Sequence, residues 1–306
     1  MRMYFALIMA IIGFIGLCFP ALAANQPVRV VTVGAPATEI VFALGAGATV
    51  VATDTTSTWP DAVGNLPKVG YMRTLASEGI ISLKPDLIVA VENAGPVAVL
   101  DGLRALGISV MVLPSLDQLE NLPDAISRTA AALGRTDEGA ELIAKVTADI
   151  ASIQHLAGAN HAKIAFLMAV GHGQPLSAGR NTTADEIIGL VGGENAMAGY
   201  DGFKPVSPEI IAADTSDYVL VPQSTLDQFG GIDGIMHHPS LGLHKAVQAG
   251  HVVTVSASTI LGFGPRSATE IRELAAKLQT VAASNPSPSP NPNPNPNPST
   301  SSVSNP

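Results

Sequence analysis

The sequence predicts an α/β protein made of two lobes, each with a parallel β-sheet covered by helices. Short apolar strands alternate with helices along most of its 306 residues, and strands that consist of unbroken apolar runs are typical of parallel sheets buried on both faces. One long helix is not followed by a strand within the usual length of a loop. We interpret this helix as the connection between the two lobes.

The elements of the first lobe are predicted from apolar runs and the residues that interrupt them. A β-branched run forms the first strand, and Gly34 ends it before a helix that stops at Gly45. Lys84-Pro85-Asp86 ends a later helix, because proline cannot continue one. The predicted strands cover 28–33, 49–53, 87–91 and 110–113, and the predicted helices cover 35–43, 76–83, 97–106 and 116–133.

The long helix is predicted at 136–153, with apolar residues at helical spacing and acidic residues in its first turn. The alternation then restarts, with strands at 163–170, 217–221 and 251–255 and helices at 184–191, 208–213, 226–235 and 267–283. The segments that begin at Glu78 and Glu209 resemble each other. In each, an acidic residue opens a short helix, and an aspartate precedes a buried strand. This weak internal repeat is consistent with two similar lobes.

Both ends of the chain differ from its body. Arg2 precedes an apolar run, and Ala21-Leu22-Ala23 then supplies the small residues that signal peptidase requires, which predicts a cleaved secretory signal peptide. An uncleaved anchor is the less favoured alternative, because the apolar run is short for a membrane span. The C-terminal tail is rich in Pro, Asn and Ser and is predicted to be disordered or polyproline-like. The predicted organisation is signal peptide 1–23, first lobe 24–134, inter-lobe helix 135–156, second lobe 157–284 and tail 285–306.

Composition and motifs exclude several classes of function. The net charge of −9 argues against nucleic acid or an anionic membrane as the main partner. Cys18 is the only cysteine and lies in the signal segment, so a mature chain has no disulfide, thiolate metal site or cysteine nucleophile. The sequence has no nucleophile elbow, no HExxH motif and no paired carboxylates in a shared loop. An exported enzyme is therefore the least favoured class, and we expect a monomer without catalytic activity.

The segment 59–73 is divided by turn-forming residues into short pieces and ends with Tyr71 between Gly70 and Met72. If this end is extended, Tyr71 and Arg73 point to the same side. A guanidinium favours the ionised form of a neighbouring phenol, and phenolate is a hard oxygen donor suited to ferric iron. The tripeptide Gly70-Tyr71-Met72 by itself indicates that Tyr71 is an ordinary half-buried aromatic residue of a loop. The surrounding sequence reverses that preference.

Several motifs together resemble the periplasmic binding proteins that serve importers of haem, cobalamin and ferric siderophores. They are Leu83-Lys84-Pro85-Asp86-Leu87, Gly179-Arg180-Asn181-Thr182, Gly192-Gly193-Glu194-Asn195-Ala196 and Val206-Ser207-Pro208-Glu209. Within this family, the segment 66–73 is similar to the haem-binding branch, where the tyrosine is the axial ligand. The resemblance implies two Rossmann-like lobes with parallel sheets joined by one long rigid helix, a periplasmic location, and ferric haem as the transported ligand.

The resemblance also implies roles for individual residues. Tyr71 would ligate the haem iron, and Arg73 would stabilise the phenolate or meet a propionate. His172, in the loop 171–175, is the candidate second ligand or the ligand of a second haem, with a structural or solvated histidine as the open alternative. Trp59 is a candidate for stacking on the porphyrin and equally for a core position.

A second set of roles concerns a partner. In the family that the chain resembles, one exposed glutamate on each lobe meets arginines of an inner-membrane ABC permease dimer, which implies this role for Glu78 and Glu209. Helix capping is the alternative for both. The adjacent His237 and His238 are interpreted as part of a surface loop, because zinc sites need three or four ligands. The runner-up cargo is another chelate, either cobalamin or a ferric siderophore.

Overall fold

The computed structural model describes residues 28–156, 162–169 and 173–284 of the chain. The predicted signal peptide, the predicted tail and His172 lie outside these described residues. Within the described ranges, the longest helices are still too short or too polar to cross a membrane.

A parallel four-stranded sheet in the order β2-β1-β3-β4 forms the first half of the fold. Every residue of the two central strands is buried, as their uninterrupted apolar sequences predict. The strands are β1 (Val30–Val33), β2 (Val50–Thr53), β3 (Leu87–Ala90) and β4 (Ser109–Val112), and the helices are α1 (Ala35–Ala43), α2 (Ser77–Ser82), α3 (Val97–Ala105) and α4 (Leu122–Leu133). The last helix begins later than predicted, with Pro123 in its first turn, where proline is tolerated.

The second half contains a parallel arrangement in the order β7-β5-β9-β10. Two further strands continue this sheet in antiparallel fashion from the far end of β5, in the order β5-β6-β8. The prediction of a parallel sheet therefore describes the first half fully and the second half in part. The strands are β5 (Lys163–Met168), β6 (Leu176–Ala178), β7 (Glu194–Asn195), β8 (Phe203–Pro205), β9 (Tyr218–Pro222) and β10 (Val252–Val255).

The helices of the second half are mostly short. The segment predicted as a polar loop and one helix at 226–235 forms two helices, and two others were not predicted. In order, they are α6 (Thr183–Leu190), α7 (Pro208–Ala213), α8 (Gln223–Gln228), α9 (Ile232–Met236), α10 (Lys245–Gln248), α11 (Ala257–Ile260) and α12 (Ser267–Ser284).

The long helix α5 spans Thr136–Ile153, with the same bounds that the sequence predicts. It packs against α4 of the first half and α12 of the second half. Val146 and Ile153 are its most deeply buried apolar side chains, at 2% and 0% exposure. Its role as the rigid connection between two domains, and the domain boundaries themselves, remain predictions.

The two halves pack directly on each other. One large cluster of buried apolar side chains contains Ile88 from the first sheet and Phe166 from the second. A smaller cluster lies entirely within the second half. Polar contacts also cross between the halves: the amide of Phe263 donates to the carbonyl of Leu116 at 2.8 Å, and the Thr183 hydroxyl donates to Asp117 at 2.9 Å.

Candidate functional site

A cavity of about 350 Å³ lies where the two halves meet. It opens beside the carboxyl ends of two central strands of the second half, since Met168 is the last residue of β5 and Pro222 the last of β9. Ligands of α/β proteins commonly bind outside such strand ends. The first half contributes two lining residues and the second half the others: Tyr71, Arg73, Met168, Leu176, Phe203, Pro222, Ser224, Ala257, Ile260 and Leu261.

Hydrogen bonds on both sides of Tyr71 hold its backbone in place. The amide of Thr55 donates to the carbonyl of Gly70 at 2.9 Å, and the amide of Thr74 donates to the carbonyl of Tyr71 at 2.9 Å. Gly70 has φ of 98°, a conformation that glycine adopts without steric cost. Met72 is fully buried. With its neighbours fixed in this way, the phenol of Tyr71 remains 40% exposed at the cavity.

The backbone at Tyr71 differs from the extended conformation considered for it. Met72 and Arg73 form a turn, which the hydrogen bond from the amide of Thr74 to the carbonyl of Tyr71 closes. Tyr71 and Arg73 nevertheless line the same cavity. The phenol and the guanidinium therefore line one cavity, as predicted. The turn, and not the two-residue period of a strand, brings them there.

A buried carboxylate supports the segment that carries Tyr71. Asp54 is fully buried and accepts hydrogen bonds from the Gly34 amide at 2.9 Å, the Thr56 amide at 2.9 Å and the Ser57 hydroxyl at 2.6 Å. These bonds join the end of β1 to the turn after β2. That turn contains Thr55, whose amide donates to the carbonyl of Gly70, so the Asp54 side chain supports the backbone next to Tyr71.

Lys68 joins several parts of the same segment through hydrogen bonds of its ammonium group. Its ammonium donates to the Thr53 hydroxyl at 2.8 Å and to the carbonyls of Ser57 at 2.9 Å and Val63 at 3.3 Å. Desolvation lowers the pKa of Lys68 below its usual range, while the charge of Asp54 opposes this shift. The lysine therefore acts as a bridge between the ends of the irregular segment.

Part of the apolar wall comes from two strands that were not predicted from the sequence. Leu176 on β6 and Phe203 on β8 both line the cavity. The Phe203 ring is 38% exposed and meets Phe166 edge to face, with 5.9 Å between ring centroids. Both strands have three residues, too few for an alternating pattern to be recognised.

Trp59 lies against a charged cluster. The guanidinium of Arg266 stands 4.3 Å from the centroid of the indole ring and pairs with Glu39 at 3.1 Å and Glu270 at 3.0 Å. Trp59 is 39% exposed and is not among the residues that line the Tyr71 cavity. Stacking of Trp59 on a porphyrin therefore remains a prediction, as does ligation by His172.

The two adjacent histidines bond to their own loop. His237 Nδ1 lies 2.7 Å from the carbonyl of Asp233, and His238 Nδ1 accepts the amides of Ser240 and Leu241. Burial lowers the pKa of His238. Across the described ranges, there is no group of three or more His, Cys, Asp or Glu side chains that could hold a metal ion.

A second cavity of about 490 Å³ adjoins the first and shares Ser224 and Ala257 with it. Its chemistry differs, because ten of its thirteen lining residues carry hydroxyl, amide or charged side chains. The residues are Thr58, Gln223, Ser224, Asp227, Thr254, Val255, Ser256, Ala257, Ser258, Glu270, Glu273, Leu274 and Lys277.

Glu78 and Glu209 occupy matching positions in the two halves. Each is exposed and lies in the first turn of a six-residue helix, α2 or α7. Each helix leads into a buried strand, β3 or β9. Hydrogen bonds from the Ser207 hydroxyl and the backbone lower the pKa of Glu209, so this carboxylate is ionised at neutral pH.

Two α/β halves packed around a cavity at the strand ends define a bilobal ligand-binding protein. The comparison with known families agrees: the family described as periplasmic binding protein matches residues 30–259. This match spans most of the chain, and the chain belongs to that family.

Solved structures of similar proteins give a finer comparison. The periplasmic heme-binding protein RhuT from Roseiflexus sp. RS-1 is 36% identical, with a TM-score of 0.78 over 83% of this chain and 99% of that one. Other structures of periplasmic heme-binding proteins match over similar spans, with TM-scores of 0.75 and 0.73.

Relatives by sequence include transport proteins with different names. The uncharacterized ABC transporter substrate-binding lipoprotein YvrC of Bacillus subtilis is 24% identical over 83% of this chain and 81% of its own length. The vitamin B12-binding protein of Pectobacterium carotovorum is 28% identical over 60% of this chain and 66% of its own length. The chain is therefore similar to a substrate-binding lipoprotein of an ABC transporter, to vitamin B12-binding proteins and to heme-binding proteins.

Proposed function

We propose that this chain captures ferric haem in the cavity at Tyr71 and delivers it to an inner-membrane ABC importer. One observation carries the proposal: a phenol and a guanidinium, those of Tyr71 and Arg73, face an otherwise almost entirely apolar cavity between the two halves. Similarity to heme-binding proteins of known structure supports the same cargo.

The chemistry of the two polar groups suits a ferric centre. A phenol has a pKa of about 10 and binds metal poorly while protonated. Arg73 lines the same cavity and is proposed to stabilise the iron-bound phenolate, and tyrosinate is an established type of axial haem ligand. His172 remains the proposed second ligand. A single tyrosinate would select ferric haem over metal-free porphyrin.

The remaining lining suits the macrocycle. Phe203, Leu176 and Ile260 offer an aromatic and aliphatic surface to a flat apolar ring. Arg73 is exposed, so it can pair with a propionate that extends toward solvent. Trp59, which lies outside the lining of this cavity, is proposed to stack on the porphyrin.

Delivery requires a second surface. We assign docking on the permease dimer to Glu78 and Glu209, since exposed charges mainly set the orientation and rate of encounter. The protein acts in the periplasm after removal of its signal peptide, as a monomer, and performs no catalytic step.

Cobalamin is the second candidate cargo. Vitamin B12-binding proteins are among the relatives, and the adjoining polar cavity offers hydroxyl and carboxylate groups that could accept amide side chains. Tyr71 and the apolar wall have no evident role in that alternative, because cobalamin brings its own axial ligand.

An optical titration distinguishes the two cargoes. Hemin added to purified protein should shift the Soret band and produce a charge-transfer band, and excess cyanocobalamin should not reverse either change. Tyr71→Phe should abolish the charge-transfer band, and His172→Ala tests the second ligand. An unchanged hemin spectrum on mixing, together with tight cyanocobalamin binding, would assign the protein to the alternative.

A further inference from the structure

The cavity beside Tyr71 contains a sulfur atom that the proposed capture of ferric haem does not use. Met168, the last residue of β5, is one of the ten described residues that line this cavity. The guanidinium of Arg73 has no lone pair to offer a metal, and the hydroxyl of Ser224 is not a usual axial ligand of haem. The lining therefore offers iron two donors, the phenol of Tyr71 from the first half and the thioether of Met168 from the second.

Strand pairing holds Met168 in the wall of the cavity. Met168 is paired with Leu176 of β6 in antiparallel register, and Leu176 lines the same cavity. Side chains two residues apart on a strand point to the same side, so Met168 shares a face with Phe166, whose ring meets that of Phe203 in the cavity wall. Met168 is half-buried and packs against the large apolar cluster. Its thioether is thus carried by the end of a paired strand and not by a loop.

A methionine can also serve as a flexible apolar residue that fills irregular space. Met72 shows this structural use: it is fully buried, its sulfur accepts the Thr56 hydroxyl at 3.8 Å, and it is not among the residues that line the cavity. Met168 differs, because it lines the cavity at the carboxyl end of a central strand, where ligands of α/β proteins commonly bind. An exchange of sulfur for carbon separates the two roles.

The two donors prefer different oxidation states of iron. Phenolate is a hard anionic oxygen and suits the ferric ion. A thioether is neutral and soft, and methionine ligation raises the reduction potential of haem, which means that it stabilises the ferrous form relative to the ferric one. A cavity that contains both donors is therefore equipped for both oxidation states.

We propose that the Met168 thioether binds the iron of ferrous haem, so that the cavity accepts the reduced as well as the oxidised cargo. Tyr71 holds ferric haem from the first half, and Met168 holds ferrous haem from the second. The haem enters already reduced, and the protein transfers no electron. The inference rests on the proposed capture of haem and widens the range of its cargo.

The experiment compares titrations of the protein with hemin and, without oxygen, with hemin reduced by excess dithionite. Met168→Leu keeps an apolar side chain of similar volume and should lower the ratio of ferrous to ferric affinity at least about tenfold, since even a partner outside the coordination sphere is often worth that much in metal affinity. Tyr71→Phe should raise the same ratio. Met236→Leu, in the smaller cluster of the second half, is the control and should keep the wild-type ratio. X-ray absorption at the iron edge should detect a sulfur neighbour in the ferrous complex of the wild type and none in that of Met168→Leu.

Other outcomes overturn the inference or the proposed function separately. A wild-type ratio in Met168→Leu, or a ferrous complex of the wild type without a sulfur neighbour, would refute the role of Met168 and leave the capture of ferric haem intact. Wild-type protein that binds hemin in neither oxidation state would refute the proposed function itself. If Met168→Leu unfolds at a lower temperature than the wild type, Met168→Gln, which keeps an unbranched side chain without sulfur, repeats the test.

Discussion

Tyr71 owes its position to residues whose side chains never reach the cavity. Thr55 holds the carbonyl of Gly70, and the fully buried Met72 anchors the other side. The phenol lies between two fixed points, which reduces the entropy lost when it binds a ligand. Because Thr55 and Met72 fix the backbone independently of the phenol, removal of the phenolic oxygen tests the role of that atom alone.

Tyr71→Phe should keep the fold and remove most haem affinity. The change deletes the donor oxygen and little volume. We expect hemin to bind at least about 100-fold more weakly, since even loss of a partner outside the coordination sphere often costs about 10- to 100-fold in metal affinity. A hemin titration followed at the Soret band measures this, with unfolding temperature as the control. Unchanged hemin affinity would end the ligand assignment.

Phe203→Ala tests the opposite wall of the cavity. Its ring offers apolar surface to a macrocycle whether or not the macrocycle holds a metal. We therefore expect about tenfold weaker binding of both hemin and metal-free protoporphyrin, corresponding to about 1.4 kcal/mol of lost contact. Tyr71→Phe should affect hemin alone. If Phe203→Ala weakens only hemin, the ring acts on the iron ligand and not on the porphyrin face.

At the scale of elements, the sequence predicts what local signals encode. Helices α1 and α5 have the predicted bounds, because apolar periodicity and helix-ending residues lie within the segments themselves. Strands β6 and β8 were not predicted, because each has only three residues, too few for an alternating pattern to be recognised. Of the ten residues that line the cavity, the sequence therefore predicted two, Tyr71 and Arg73, and it did not predict the apolar surface of Leu176 and Phe203.

The turn under Tyr71 provides a prediction for a whole segment. Asp54→Ala removes the acceptor for four donors, the amides of Gly34 and Thr56 and the hydroxyls of Thr56 and Ser57. We expect a loss of at least about 2 kcal/mol in unfolding free energy, since each buried donor without an acceptor costs about 1–3 kcal/mol. Chemical denaturation measures it.

The control for this change is Asp61→Ala, because Asp61 is exposed on the same segment and should have little effect on stability. Hemin affinity of Asp54→Ala should fall together with stability, because Gly70 loses its support. Wild-type stability in Asp54→Ala would show that water or rearranged backbone replaces the carboxylate.

At the scale of the whole molecule, the two halves behave as one packed body. They share the large cluster of buried side chains, and the Glu39–Arg266 ion pair joins α1 to the start of the last helix. Trp59 rests on the same guanidinium. A charged cluster at the junction of the halves makes their packing dependent on protonation.

Burial raises the pKa of Glu39 above its ordinary value, although Arg266 opposes the shift. The folded protein therefore holds this proton more tightly than the unfolded chain does. The resulting stability is fully present below the unfolded pKa and is lost as pH rises through the folded one. Glu39→Gln keeps the size of the side chain and removes its titration.

We therefore expect Glu39→Gln to unfold at the same or a higher temperature than the wild type at about pH 8, and to lose any advantage near about pH 4, where the wild-type carboxyl is protonated as well. Thermal unfolding across this range tests it, with Glu141→Gln, an exposed position on α5, as the control. If Glu39→Gln instead unfolds at a lower temperature than the wild type at high pH, and at the same temperature at low pH, the predicted sign of the effect is wrong. The ion pair with Arg266 would then outweigh the cost of burying the charge, and the junction of the halves would be held chiefly by electrostatic attraction.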